Sequence, residues 1–507
     1  LFLRRYEFLC VVLSDSNFKE DFEENTDYWN FRLEKMRAVL AHRGNDARGR
    51  YLKKHIGLSH SRLAIRDILC GDQPMTRTHN GYEYTICYNG EIYNTDELIP
   101  ELSENGFVCS TTSDTEVILY AYIHWGADFV NRLNGIFAFA IWDAAKNRLL
   151  LYRDRVGVKP LFYAIRGDSL VFGSEPKACF AHPAVKPELD KQGLQELLAI
   201  GPAHTSGLSL FKDLFEVLPG HFMIYSQNGL HDETYWELTS REHTESYQDT
   251  VAHTRFLVED AIKRQMVSDV PVCTFLSGGI DSSIVTAIAA NYMNTRGKTL
   301  NTFSFDFKDN DRYFKANAFQ PERDLPYVNR MLEEYETAHS YLECDENSLF
   351  KALFAAVDAK DMPGMTDVDS SLLYFCSLVS RKNKVALTGE CADEIFGGYP
   401  WFYRKELLER YGFPWSSDVA PRLALLRDDV GLELDLSGYQ AFRYEESRSK
   451  APLLYGEAGE DESRRIIGYL NIKWFMQTLL DRMDRTSMYS ELEARVPFAD
   501  HRIIEYV

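Results

Sequence analysis

The sequence predicts two domains in series: a strand-rich α+β half over residues 1–236, then an α/β half with a parallel sheet and a helical end over residues 248–507. Three observations carry this. Gly135–Trp142 is apolar on both alternating faces, a pattern a strand needs when both its faces are covered, as in stacked sheets. Beyond residue 250, short apolar runs alternate with helical periods, which argues for a parallel sheet. Between the two lies Ser226–Asp249, rich in His, Asp, Glu, Ser and Thr, which reads as a linker with one strand piece near Tyr235–Leu238.

In chain order, the first half offers strands at Ile56–Ile65, Tyr84–Tyr88, Gly135–Trp142, Arg148–Tyr152, Leu161–Ala164 and His221–Tyr225. The turn Asp143–Asn147 makes a hairpin of two of them. A helix starts at Ser113, with Glu116 three residues on as a capping box, and ends at Gly126. The second half reads as helix Val251–Met266, strand Pro271–Leu276, a glycine loop and helix Asp281–Met293. Further strands are Asn301–Phe307 and Lys384–Thr388, and Trp401–Val507 is mainly helical. Tyr313–Pro326 is a long polar insertion with no functional placement.

Composition narrows the function. The 507 residues carry a net charge of −20, which repels nucleic acid and anionic lipid but leaves room for a local phosphate site. No apolar run approaches a membrane span, so neither nucleic acid nor membrane is expected as a partner. Nine cysteines, none spaced Cys-x-x-Cys and most within apolar stretches, read as buried thiols of a reducing cytoplasm. Leu1–Leu9 is interrupted by Arg4, Arg5 and Glu7 and makes a poor signal peptide; both ends of the chain read as incomplete or altered.

The strongest chemical signal is Ser277-Gly278-Gly279-Ile280-Asp281-Ser282-Ser283, between a buried strand and a helix. Glycines let the backbone approach a ligand and turn its N–H groups inward, and the helix start adds partial positive charge. Asp281 would repel a bare phosphate and makes sense there with Mg²⁺ between them. A serine-capped tight turn explains fewer of these residues. Gly297-Lys298-Thr299 is not a Walker A loop, because Tyr292 stands where its first glycine belongs. After another short strand, Gly389 is followed by Glu390, Asp393 and Glu394, three carboxylates within five residues. Acids that close need a cation or a proton to coexist, which a plain solvated helix start would not explain together with the flanking glycines.

These two segments, with Asp484-Arg485-Thr486-Ser487-Met488 and Glu493 through Asp500, resemble the synthetase half of glutamine-dependent asparagine synthetases, over roughly residues 40–507. The first half resembles their class II amidotransferase domain in His42–Asp46, Ser61–Leu63, Tyr88–Asn94, Thr112–Asp114 and Arg153–Leu161. The resemblance implies an Ntn-type αββα sandwich followed by an ATP-pyrophosphatase fold. It implies ATP and Mg²⁺, with glutamine and aspartate as small-molecule substrates, and a possible homodimer. On its terms Arg62 binds the glutamine carboxylate, Asp114 and Glu91 hold its ammonium, and Asn89 with Gly90 forms the oxyanion hole. Alone, Asn89-Gly90 reads as a hairpin turn. Ser277, Gly278, Gly279, Asp281, Ser282, Ser283 and Gly389 would hold ATP, Asp281 and Asp393 the metal, and Glu390 would act as general base.

Four departures accompany the resemblance. Asn45 stands where the family has proline, and Thr486 where it has an apolar residue. The family opens on a cysteine followed by glycine; here the one cysteine upstream of Arg43 is Cys10, followed by Val11. Cys10 reads either as a nucleophile exposed by processing or as a plain core strand residue. The family's helical sequence with a lysine near the phosphates continues past Val507. The expected reaction is ATP-dependent amidation of aspartate through β-aspartyl-AMP. The alternatives are amidation or cyclisation of another carboxylate, and an ammonia-only synthetase with an inactive glutaminase half.

Overall fold

The computed structural model describes residues 21–316, 322–416 and 418–507, with the backbone of 11–14. Cys10 lies outside the described residues. In the first half, two six-stranded sheets stack face to face. One runs, in spatial order, Phe215–Glu216, Phe162–Arg166, Ser169–Gly173, Val11–Ser14, Ile56–Arg62 and Ala47–Lys53. The other runs Gly229–Thr234, His221–Ser226, Arg148–Arg153, Gly135–Asp143, Tyr82–Ile92 and Met75–His79. Helix Thr26–Ala38 covers the first sheet, and helices Thr95–Glu104 and Asp114–Trp125 cover the second.

The doubly apolar strand shows why the layers form. Ala138, Ala140 and Trp142 point between the sheets, while Phe137, Phe139 and Ile141 point at the outer helices. Its neighbour divides alike, with Leu149 and Leu151 inward and Leu150 and Tyr152 outward. Because side chains alternate along a strand, one continuous apolar run fills two cores.

The second half carries a five-stranded parallel sheet in the order Thr337–Cys344, Leu300–Phe307, Val272–Phe275, Val385–Leu387 and Glu493–Arg495. From Val272–Phe275 the chain steps outward on one side, then returns to the other with Val385–Leu387. Such a reversal opens a crevice at the carboxyl ends of the two central strands, where α/β sheets bind ligands. The C-terminal part is helical, with Leu436–Arg448, Glu460–Leu470 and Met476–Met488 as its longest pieces. Ile65, Tyr93, Ile136, Val156 and Val158 of the first half share one core with Leu257, Ile262, Leu480 and Phe498 of the second. The halves are therefore packed together, not tethered.

Several expectations are corrected. Tyr84–Tyr88 extends to Tyr82–Ile92, so Asn89-Gly90 is no hairpin turn but sits mid-strand opposite Ala138 and Phe137. Within the expected linker the strand is Gly229–Thr234, not Tyr235–Leu238, and the next helix already begins at Tyr247. Ser113 caps its helix by accepting from Thr115 N–H, but Glu116 does not complete a capping box. Arg77 and the N–H groups of Ser110 and Thr111 claim that carboxylate instead. Cys70 is exposed, whereas six of the other described cysteines are buried; the eight described are free thiols. No described helix is long and apolar enough to cross a membrane.

Candidate active site

A pocket opens at the end of the Tyr82–Ile92 strand, lined among others by Arg62, Asn89, Gly90, Glu91 and Asp114. Gly90 has φ +148°, and a Cβ there would stand 2.0 Å from the Ile136 carbonyl oxygen. Only glycine keeps the strand pairing and leaves its N–H at the pocket. The Asn89 Nδ2 beside it is buried and has no hydrogen-bond partner. A buried amide donor left unpaired is costly, and here it points to a ligand acceptor. Asp114, in the first turn of its helix, accepts from Tyr88 Oη at 2.8 Å and Ile92 N–H at 3.0 Å.

Glu91 is buried between two guanidiniums, Arg66 Nη1 at 3.2 Å and Arg495 Nη2 at 3.0 Å. Burial, then the charge of Asp114, pushes its carboxyl up to about 8, against the pull of Arg495. Burial also raises the Asp114 carboxyl, with Arg66 opposing. Arg62 lines the pocket, yet its Nη groups already donate to the carbonyls of Arg66, Asp67 and Ile68. A carboxylate ligand would have to compete with these or take the remaining guanidinium edge.

The second candidate site lies at the sheet's reversal point. Ser277–Ser283 leaves the Val272–Phe275 strand, and Gly389–Asp393 leaves its neighbour Val385–Leu387. The two loops touch: a Cβ on Gly389 would stand 2.8 Å from Ser282 N and 3.0 Å from Asp281 Cβ. Gly278 has φ +86°, which bends the loop over the strand end. The Ser282 hydroxyl accepts from Ser277 N–H at 3.2 Å and meets Ser277 Oγ at 3.0 Å, so it builds the loop as well as facing it. Ser283 stands in the first turn of helix Ile280–Asn294.

Burial and then the charge of Asp393 push the Asp281 carboxyl up to about 6. Burial and then Glu390 raise Asp393 in turn. Glu394 behind them is pushed up to about 7 by burial, despite the Tyr399 Oη that donates to it at 2.5 Å. Glu390 is held by Arg482 Nη2 at 2.8 Å. Asp281 and Asp393 thus raise one another with no cation paired to either among the described residues, the condition a divalent cation relieves.

Arg66, Arg482, Glu493 and Arg495 belong to these sites without having been assigned roles from sequence. The third motif makes the seam between the halves. Asp484 pairs with Arg43 at 2.7 Å and Lys159 at 3.1 Å, Arg495 pairs with Glu91, and Asp500 accepts from Asn134 Nδ2 at 3.1 Å. The unexpected Thr486 is fully buried and spends its hydroxyl on the Arg482 carbonyl at 2.7 Å, within its own helix.

Comparison with known proteins covers both halves. Residues 10–236 match the glutamine amidotransferase domain family, and residues 253–507 match the asparagine synthase family. The chain is 49% identical to asparagine synthetase [glutamine-hydrolyzing] 3 of Bacillus subtilis, over 98% of this chain and 80% of that protein. It is 31% identical to putative asparagine synthetase [glutamine-hydrolyzing] 2 of Methanocaldococcus jannaschii, over 72% of each. At 29% identity it also resembles amidase chyE of Penicillium rubens, over 99% of this chain and 81% of that one. The chain therefore belongs to the glutamine-hydrolysing asparagine synthetase family, enzymes of ATP-dependent amidation.

Proposed function

We propose that the amidation runs through β-aspartyl-AMP and yields asparagine, glutamate, AMP and pyrophosphate. The observation that carries this is the meeting of Ser277–Ser283 with Gly389–Asp393 at the reversal point of the sheet. ATP lies along the N–H groups of the first loop. The β-carboxylate of aspartate attacks the α-phosphorus, and pyrophosphate leaves. Asp281 and Asp393 suit Mg²⁺, which binds through one or two carboxylates plus phosphate oxygens and supplies charge neutralisation when bound. Ammonia then attacks the acyl carbon, AMP leaves, and Glu390, oriented by Arg482, takes the surplus proton.

Ammonia comes from glutamine in the first half. Asn89 Nδ2 and Gly90 N–H stabilise the oxyanion, Arg62 takes the carboxylate, and Glu91 with Asp114 takes the ammonium. Cys10 is the nucleophile of this reading; the amidotransferase match beginning at residue 10 supports it. Its thiolate attacks the amide carbon, giving a thioester and ammonia, and water then releases glutamate. The two domains divide between residues 236 and 248, and the free thiols favour the cytoplasm.

Aspartate labelled with ¹⁸O in both β-carboxylate oxygens tests the central step. One label in AMP and one in asparagine is the expected result. Label in a phosphate released without AMP refutes the adenylate. Intact mass of the active protein tests whether it begins at Cys10.

A further inference from the structure

The glutamine pocket is not built by the first half alone. Glu493 and Met488 line it from the second half, and Arg495 reaches the pocket through Glu91. Glu493 and Arg495 share a face of the three-residue strand Glu493–Arg495, because side chains two apart on a strand point the same way. The Arg495 guanidinium is fully buried and fixed on four sides. It donates to Glu91 Oε2 at 3.0 Å, Glu493 Oε1 at 2.8 Å and the carbonyls of Gln265 and Val267. It cannot swing without breaking several charge-assisted hydrogen bonds.

Acidic side chains crowd this end of the pocket. Three buried carboxylates, Glu91, Asp114 and Glu493, face two guanidiniums, Arg66 and Arg495. Of the other cations on the lining, Arg43 is paired with Glu175 and Asp484, whereas Arg62 meets loop carbonyls and the exposed Asp72 and keeps its charge for a ligand carboxylate. His60 also lines the pocket, with Nε2 on the Tyr88 carbonyl oxygen. The charge of Glu493 helps raise both neighbouring carboxyls. An ammonium is favoured among these acids over a carboxamide or a carboxylate.

We propose that Glu493, supplied by the synthetase half, is a specificity residue of the glutamine site that selects the ligand's α-ammonium group together with Glu91 and Asp114. Arg495 is the positioning residue that holds Glu91 and Glu493 at that end. The proposal rests on the pocket being the glutamine site. It adds that this site is complete only when both halves are docked.

The test is equilibrium binding by calorimetry on the full chain in a C10A background, which blocks hydrolysis, with L-glutamine and with glutaric acid monoamide, which lacks the α-ammonium. The wild type is expected to prefer glutamine strongly. E493Q should weaken glutamine about ten- to a hundredfold, the range of a charge-assisted hydrogen bond, and leave the deamino ligand unchanged or tighter. E493D, which keeps the charge but withdraws it by one methylene, should narrow the preference by less. If E493Q does not fold, E493D decides by the same criterion. Equal change in both ligands, or none, in the folded variant overturns the proposal and makes Glu493 a strut of the seam. If the wild type itself does not prefer glutamine, or D114N leaves that preference intact, the reading of the pocket fails first.

Discussion

Replacing Asn89 by alanine separates function from stability in an unusual direction. The Asn89 Nδ2 is buried and unpaired in the protein without ligand. An unsatisfied buried donor costs about 1–3 kcal/mol, so deleting it returns some stability. The truncation also removes packing, worth ~1 kcal/mol for a few buried atoms. The two effects oppose, and N89A should unfold in denaturant within about 1 kcal/mol of the wild type. The catalytic effect has no such offset. Loss of one oxyanion donor costs roughly 10²–10³ in kcat, about 2.7–4 kcal/mol, with Gly90 N–H as the remaining donor. The assay compares glutamate release from glutamine with asparagine formation driven by ammonium. The loss should be confined to the glutamine route. A variant that loses more than about 2 kcal/mol of stability, and falls equally by both routes, would show that the amide is a structural group and no oxyanion donor.

Gly389→Ala would push a Cβ against backbone, 2.8 Å from Ser282 N, which no rotamer can relieve. It should separate the two loops, costing about 1–3 kcal/mol and most ATP-dependent AMP formation while glutamine binding persists; an active G389A would argue against the shared site. Arg482→Met leaves Glu390 without its partner. Asparagine formation should fall about ten- to a hundredfold with either nitrogen source, and a loss seen with glutamine alone would move Arg482 to the ammonia-generating half. At the seam, burial opposes the charge of Glu175, but His42, Arg485 and Lys177 prevail and hold its carboxyl well below the usual range. A depressed carboxyl stabilises above its unfolded value near 4.5, and that stability is lost as pH falls through the folded value. Glu175→Gln should therefore cost about 3–5 kcal/mol at pH 7 and flatten the acid limb of the stability profile, read by urea unfolding at stepped pH.

How much of this was legible follows from where each signal lives. Gly135–Trp142 announces its two covered faces in one apolar run, and the Ser277–Ser283 loop carries its geometry in glycines and hydroxyls of adjacent residues. The strand Gly229–Thr234 was missed because it is a polar edge with no apolar alternation to read. Thr337–Cys344 lies at the other sheet's edge, and its mixed exposure hides it in the same way. Asn89-Gly90 misled because that pair favours turns locally, whereas here the strand pairing with Ala138 and Phe137 overrides it. Arg62 lines the pocket, but its bonds to the carbonyls of residues 66–68 depend on a loop path no spacing reveals.

Glu493–Arg495 was the hardest piece to read, and physically it is the most informative. Two charged residues in a three-residue buried strand violate every local rule for a parallel sheet. They are tolerated because their partners come from elsewhere in the fold: Glu91 from the first half, and the carbonyls of Gln265 and Val267 from the turn before the central strand. The same strand also reaches the acidic loop. The Arg495 carbonyl accepts from Thr388 N–H at 3.0 Å, and Thr388 Oγ1 lies 3.4 Å from Glu390 N–H. One residue thus anchors the Asn89–Gly90 pocket through its side chain and the acidic loop through its backbone. Any substitution at Arg495 leaves Glu91 and Glu493 buried without their shared cation, so its cost falls first on the docking of the halves. That is why the site is better understood as a property of the seam than of either domain.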